Sequence, residues 1–203
     1  MTELTQQRKE LVASLMKGGI YKAAVEVLMQ HGSDGLTMDR VAEAAGVAKG
    51  SLYNYFRNKR ELIEFIHEKA IEPARIAVQQ HLADTRSAPE KLEAILRTWF
   101  EHFATNRGVF NFLFNDPHVR EVVETRKKSH REKGLEDLRL IFQQGITEGS
   151  FRRFDAGRAA EMFLGAVMIS VEQQTALDQR RPVDESVGTL MDLFLRGLEP
   201  RST

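Results

Sequence analysis

Lys49, Gly50, Ser51, Tyr53, Asn54 and Tyr55 crowd an ammonium, a hydroxyl, two phenols and a carboxamide into one short stretch. Nothing there pairs a nucleophile with a base. The set is one of hydrogen-bond donors and acceptors, the groups that hold phosphate oxygens and read base edges on duplex DNA. Such groups act only when a rigid element aims them, so the flanking residues decide what the set can do.

The flanks supply that element. Residues 37–56 read as two short helices, Met38 to Ala45 and about Lys49 to Tyr55, joined by a tight turn at Gly46. Thr37 stands where a side-chain oxygen caps the first helix, and Asp39 falls at the positive end of its dipole. Val41, Ala44 or Ala45, Val47 and Leu52 form the apolar wedge between the two, which turns Lys49, Gly50, Ser51, Tyr53, Asn54 and Tyr55 outward. This is a helix-turn-helix, whose second helix enters the major groove by its N-terminal half. Charge agrees locally: over residues 8–60 nine basic side chains against five acidic give +4, although 29 Lys and Arg balance 29 Asp and Glu in the whole chain. A local positive field favours phosphate contacts, while the neutral total excludes a polycationic non-specific binder.

The remaining periodicities make the chain all-α. Ile20, Ala23, Ala24, Val27 and Leu28 form a helical stripe to about Gln30, with Gly32 placed as its left-handed terminator, and Gly18-Gly19 should weaken any join to a helix over 3–17. Asn58 or Arg57 precedes a helix through Leu62, Phe65, Ile66 and Lys69 that meets Pro73. Leu92, Ile95, Leu96, Trp99 and Phe103 mark another. Residues 119–145 form either two helices broken near Gly134 or one long bent helix. Residues 155 to about 177 and Asp184 to Leu198 close the chain. The longest uncharged apolar run, Met162 to Val171, is too short for the roughly 20 residues that span a bilayer, and no secretory signal opens the chain. A soluble, cytoplasmic protein without membrane attachment is expected.

Ile20-x-x-Ala23-Ala24, Gly32, Gly35-Leu36-Thr37-Met38, Val41-Ala42-x-x-Ala45-Gly46-Val47 and Gly50-Ser51-Leu52-Tyr53-x-Tyr55-Phe56-x-x-Lys59-x-x-Leu62 together resemble the DNA-binding domain of the TetR/AcrR family of bacterial transcriptional regulators. The likeness covers residues 20–62, about a fifth of the chain. It implies an all-helical homodimer that represses promoters and leaves its double-stranded operator when a small molecule enters the C-terminal domain. It also implies that Thr37 and Lys59 bind phosphate and that Lys49, Gly50 and Ser51 form the groove-entering start of the recognition helix. Tyr53 and Tyr55 would contact base or backbone. Asn54 holds a variable position suited to adenine, and Ala48 could touch a thymine methyl. The organisation expected is a three-helix helix-turn-helix domain over 1–65 and a helical effector-binding and dimerisation domain over 66–203.

Beyond residue 75 the resemblance assigns no residues, but aromatic side chains concentrate there. Trp99, Phe100, Phe103, Phe110 and Phe114, with Phe112 among them, favour a largely apolar effector pocket with polar lining from His102, Asn106, Asn111 or Gln173. Met162, Phe163, Ala166, Val167 and Ser170 on one helix and Leu190, Met191 and Phe194 on the last offer more apolar surface than a monomer needs. Small residues Gly165, Ala166 and Ser170 would let these helices pair with their mates about a two-fold axis as a four-helix bundle. Such a dimer sets recognition helices roughly 34–36 Å apart and calls for a near-palindromic operator.

Other function classes lack their residues. There is no cysteine, no Gly-rich phosphate loop, no Gly-x-Ser-x-Gly elbow and no paired His/Asp constellation, so no catalytic residue and no cofactor are assigned. His67, His81, His102, His118 and His130 recur at no metal-ligand spacing, and no metal is expected. The charged stretch Arg126 to Lys133 reads as a solvated helix face. A helical adaptor is the other alternative, disfavoured by the intact Gly50-Ser51-Leu52-Tyr53. Whether the regulator represses or activates depends on where its operator lies.

Overall fold

The computed structural model describes residues 3–124, 127–176 and 181–198, and among the described residues the regular elements are all helices. Helix α1 (Glu3–Gly35) is kinked at Gly32, which takes φ 68° and ψ −171°, a positive-φ conformation open to glycine but not the left-handed helical cap expected there, and helix resumes to Gly35. The Gly18-Gly19 pair does not weaken the helix into two. Both keep helical backbone with open space around them, and each costs about 1 kcal/mol of helix stability without offering an alternative hydrogen-bonding pattern that would end the helix. Burial begins only at Ile20, so the earlier turns of α1, with Leu4, Leu11 and Leu15, face solvent.

Helices α2 (Met38–Ala44) and α3 (Lys49–Tyr55) follow at the expected places. Helix α4 (Lys59–Ala83) is capped by Asn58, whose Oδ1 accepts the Glu61 N–H at 2.9 Å, so Asn58 rather than Arg57 opens it. It runs straight through the expected 65/66 boundary and past Pro73. Its buried stripe begins with Leu62, Ile63 and Ile66, beside the two short helices, and continues with Ala70, Ala74, Ala77 and Val78 towards the C-terminal half.

The C-terminal half wraps α5 (Ala88–Thr105) with α4, α8 (Lys127–Glu148), α9 (Ala156–Ala176) and α10 (Val183–Leu198), while α6 (Arg107–Asn115) and α7 (Pro117–Glu124) close one side. Helix α8 passes Gly134 without interruption, so the alternative with a break there is not the one adopted; residues 125–126, between α7 and α8, lie outside the described residues. Residue 177, expected to end α9, also lies outside them. The side chains of His118 and His130, and those of 126–131 in the charged stretch, are likewise outside the described residues. Among the described residues no group of three or more potential ligands gathers as a metal site, and no helix is long and apolar enough to cross a membrane. Phe142, Phe151, Phe154 and Phe163 form an aromatic cluster with edge and tilted contacts 5.7–6.2 Å apart.

The far end of this half is tied by a polar cluster. Lys91, 3% exposed, donates from Nζ to Gln144 Oε1 at 2.8 Å and to the Leu82 carbonyl at 3.2 Å, so α5, α8 and the end of α4 share one ammonium. Beside it, Asp84 accepts from the Arg86 side chain at 2.6 and 2.8 Å and from the Arg86 N–H at 3.0 Å. Desolvation raises the Asp84 pKa, yet the Arg86 hydrogen bonds, together with His81, outweigh it and hold the carboxyl at about 2.

Lys91→Met leaves two half-buried acceptors without their donor and should destabilise the fold by about 1–3 kcal/mol, read from urea unfolding. Because the folded-state pKa of Asp84 is depressed, its contribution is complete above the unfolded value and is lost as pH falls from about 4 to 2. Asp84→Asn should therefore flatten the acid limb of the stability profile in that window; an unchanged limb would contradict the assignment.

Candidate nucleic-acid interface and effector cavity

Local chemistry fixes the two short helices. Thr37, in extended backbone, accepts the Arg40 N–H on its Oγ1 at 3.3 Å and so caps α2. Gly46 takes φ 64°, and its N–H reaches the Glu43 carbonyl at 3.0 Å while Val47 N–H reaches Ala42 at 3.0 Å. That pair of bonds is the Schellman arrangement, which ends α2 and turns the chain sharply into α3. Val41 and Leu52 are fully buried, with Ala45 and Val47 half-buried against them, so Ala45 and not the exposed Ala44 completes the wedge. Phe56 anchors the exit of α3 on Phe65 of α4 at 5.0 Å, and Tyr21 of α1 meets Phe65 edge-on at 6.4 Å.

With Leu52 as the buried residue of α3, the opposite face is left to solvent. Ala48, Lys49, Gly50, Tyr53 and Asn54 are exposed, Tyr53 at 41%, whereas Ser51 and Tyr55 are half-buried and Tyr55 packs against the core. Lys49 is not a free cation: its Nζ lies 2.6 and 2.9 Å from the two carboxylate oxygens of Asp39. Hydrogen bonding and the charge of Asp39 push the Lys49 pKa up. Lys59, the first residue of α4, extends its Nζ to the Ser33 carbonyl at 3.3 Å, close to the exposed Thr37 in sequence. Around Gly50 there is open space, so nothing inside the chain requires a glycine there.

The expected effector residues separate into two groups. Phe100 and Phe103 line a cavity of about 350 Å³ together with Ala104, Val171 and Val183, and Arg107, Gln174, Thr175 and Arg181 supply its polar edge. Trp99 and His102 do not line it. Trp99 Nε1 donates to the Ala74 carbonyl at 2.7 Å and His102 Nε2 meets the Ala70 carbonyl at 2.7 Å, so both face α4. Phe110 and Phe114 are core residues, Phe110 lying edge-on to Phe103 at 4.6 Å. Asn106 turns its amide back to His102, Asn111 borders a different groove, and Gln174 rather than the exposed Gln173 reaches the cavity. Arg107, Val171 and Arg181 went unforeseen because an isolated arginine or valine carries no spacing signal; only the packing of α5, α6, α9 and the approach to α10 gathers them.

A similar separation holds on the last two helices. Phe163, Val167, Leu190 and Met191 are buried within the chain, and Phe194 is half-buried against Phe163 at 5.2 Å. These side chains serve the chain's own core, because α9 and α10 must cover the aromatic cluster and α5. Ala166 and Ser170 are half-buried, and Ser170 Oγ bonds back to the Ala166 carbonyl. The apolar side chains these helices present outward are Met162 at 69%, Ile169 at 56% and Leu193 at 68%.

Known proteins share these features. The family described as bacterial regulatory proteins, tetR family, matches residues 20–66. The fatty acid metabolism regulator protein of Bacillus subtilis is 26% identical over 184 residues, covering 88% of this chain and 93% of that one. The HTH-type transcriptional activator FasR of Mycolicibacterium smegmatis is 25% identical over 170 residues, covering 83% of this chain and 75% of its own. Among solved structures, the transcriptional regulator FadR from Bacillus subtilis in complex with stearoyl-CoA has the same fold, with a TM-score of 0.73 at 23% identity over 89% of this chain and 98% of that one. Through residues 20–66, with α2, Gly46 and α3 at their centre, the chain matches the tetR family of bacterial regulatory proteins.

Proposed function

We propose that the chain binds a near-palindromic operator as a homodimer, represses from it, and is released by an acyl-type amphiphile held between α5 and α9. In this reading residues 1–65 contact DNA, residues 66–203 bind effector and partner, and no catalysis is involved. The observation that carries DNA binding is the exposed face of α3, set by the Thr37 cap and the Gly46 turn. Lys49, Gly50, Ser51, Tyr53 and Asn54 enter the groove, Ala48 and Tyr55 flank it, and Thr37 and Lys59 hold phosphates on either side.

The effector class rests on the cavity. Its volume of about 350 Å³ falls within the range of small-molecule sites, its walls are aromatic and aliphatic, and Arg107 and Arg181 offer positive charge at the edge. A long apolar tail with an anionic head matches that division. The Bacillus subtilis relative is named for fatty acid metabolism, and the solved FadR carries stearoyl-CoA, which supports the same class. Coupling runs through α4. Phe100 and Phe103 wall the cavity on the same turns of α5 from which Trp99 and His102 hold the Ala74 and Ala70 carbonyls. A tail that shifts α5 therefore shifts the helix whose first residues belong to the DNA-binding core. The sign of regulation follows operator position; FasR is named an activator.

Four outcomes are expected. A mobility shift on the DNA upstream of the chain's own coding region should retard that fragment and not a scrambled one, with Tyr53→Ala and Gly50→Leu abolishing the shift without lowering the melting temperature. Stearoyl-CoA should lower operator affinity 5–150-fold, the effect of a coupling of about 1–3 kcal/mol. Ala104→Phe, which adds a ring at the cavity without displacing a buried residue, should keep operator binding and lose that response; equal response in wild type and variant would place the effector elsewhere. Ile169→Glu with Leu193→Glu should convert a dimer to a monomer in sedimentation and weaken operator binding at least tenfold, and a wild-type monomer at micromolar concentration would refute the dimer.

A further inference from the structure

Lys49 is the one charged side chain of α3, and it stands at the first helical position, where the recognition helix meets the groove. Its ammonium is held by both oxygens of the Asp39 carboxylate, at 2.6 and 2.9 Å, although ten residues of chain and the whole α2–α3 turn separate them. The side chains are 59% and 65% exposed, so the pair is formed at the surface rather than forced by burial. The sharp turn at Gly46 is what brings the first turns of α2 and α3 to the same side of the unit.

A carboxylate gripping an ammonium with two oxygens presents the charge and the acceptor spacing that a DNA phosphate would present. For Lys49 to pair with a phosphate, that phosphate must take the place Asp39 occupies, and Asp39 repels it in doing so. Exposed ion pairs are worth little, about 1 kcal/mol or less, so the carboxylate delays the exchange without preventing it. On a matched operator the tyrosines, Ser51 and Asn54 add contacts that drive the exchange. On unrelated DNA only phosphate contacts remain, and there the competition is felt in full.

We propose that Asp39 is an intramolecular phosphate mimic that occupies Lys49 in the DNA-free protein and so holds down non-specific binding, making Asp39 a specificity-determining residue of the interface. This rests on the reading of α3 as the recognition helix. Glu43, on the same helix as Asp39 and also exposed, has no such partner among the ion pairs of the unit and serves as the charge-matched control.

The test is fluorescence-anisotropy titration of the full-length protein with a short duplex of random sequence and with the chain's own upstream DNA, between about 50 and 200 mM salt. Wild type, Asp39→Asn, Lys49→Gln, the double variant and Glu43→Gln are compared, with circular dichroism confirming that each is folded. Asp39→Asn should tighten binding to the random duplex about five- to tenfold at the lower salt and steepen the log–log salt slope by about one, the signature of one added phosphate contact. The gain on upstream DNA should be smaller, so the specificity ratio falls. In the Lys49→Gln background the same substitution should change affinity less than twofold. A gain of equal size in that background, or one matched by Glu43→Gln, would show a general field effect and overturn the proposal. No gain at all would also overturn it, while leaving DNA binding itself standing. A wild-type chain that retards no duplex would defeat the DNA-binding reading first, and this inference with it.

Discussion

One helix has to serve both ends of a single continuous hydrophobic core, and most of the architecture answers to that constraint. Along α4 the buried stripe continues at four-residue steps from Leu62 through Ile66 and Ala70 to Ala74, but its side chains shrink from leucine and isoleucine to alanine as it leaves the DNA-binding core. Large residues fill the space among α1, α3 and α4; small ones let α5 lie close enough for its side chains to reach the α4 backbone. Pro73 sits at the change. It has no N–H to donate to the preceding turn, so this stretch of α4 is short of one of its own hydrogen bonds. Trp99 and His102 grip the flanking carbonyls of Ala74 and Ala70 there, both at 2.7 Å, and tie the weakest turn of α4 to α5. Trp99 is nearly buried, so its bond stands in a low-dielectric setting where losing the acceptor would be costly.

The DNA-facing half depends on a different economy of contacts. A unit built on two seven-residue helices and the facing ends of α1 and α4 cannot bury much surface, and the aromatic contacts of Phe56, Phe65 and Tyr21 add to its aliphatic packing, with Lys17 lying over the Phe65 ring at 5.9 Å. Everything on the far side of α3 is then left uncommitted to packing. The neutral total of the chain conceals this arrangement, since the positive excess is confined to residues 8–60 and the complementary negative excess lies elsewhere.

The helix-turn-helix was legible because its determinants are local. A capping threonine, a glycine with positive φ and an apolar wedge at fixed offsets act within a few residues of each other, and α3 begins and ends where the spacing placed it. Glycine was a poorer guide where no left-handed turn was needed, as at Gly18-Gly19 and Gly134, which stay helical. The C-terminal sites were less legible for a physical reason. An apolar stripe states that a face is buried but not against what, so Trp99 and Phe103, which share a stripe, part company once folded: one faces α4 and the other the cavity. Phe163 and Val167 likewise read as surplus surface until α10 and the aromatic cluster are seen to need them. Helix α6 sets Arg107, Asn111 and Asn115 on one face at four-residue steps and buries Phe110, Phe112, Leu113 and Phe114, but at nine residues that pattern is too short to stand out among the phenylalanines.

That same α6 gives the two halves a second attachment. Its first residue, Arg107, reaches from Nε to the Thr175 carbonyl at 3.2 Å and borders the cavity. Its second, Gly108, lies against Met29 of α1 so closely that a Cβ there would run into the thioether. A single shared helix would leave the DNA-binding unit free to pivot about its own axis, since one connection fixes a direction but not a rotation. A second contact off that axis removes the rotation. Both attachments originate in elements that wall the same cavity, α5 through Trp99 and His102 and α6 through Arg107 and Gly108, so the orientation of α3 is specified from one place in the C-terminal half. The Met29 side of that linkage is the softer one, because a thioether on an exposed, flexible side chain adjusts at little cost, whereas the bonds to the α4 carbonyls have fixed geometry. Rotation of the DNA-binding unit about α4 is therefore held by the more yielding of these two attachments.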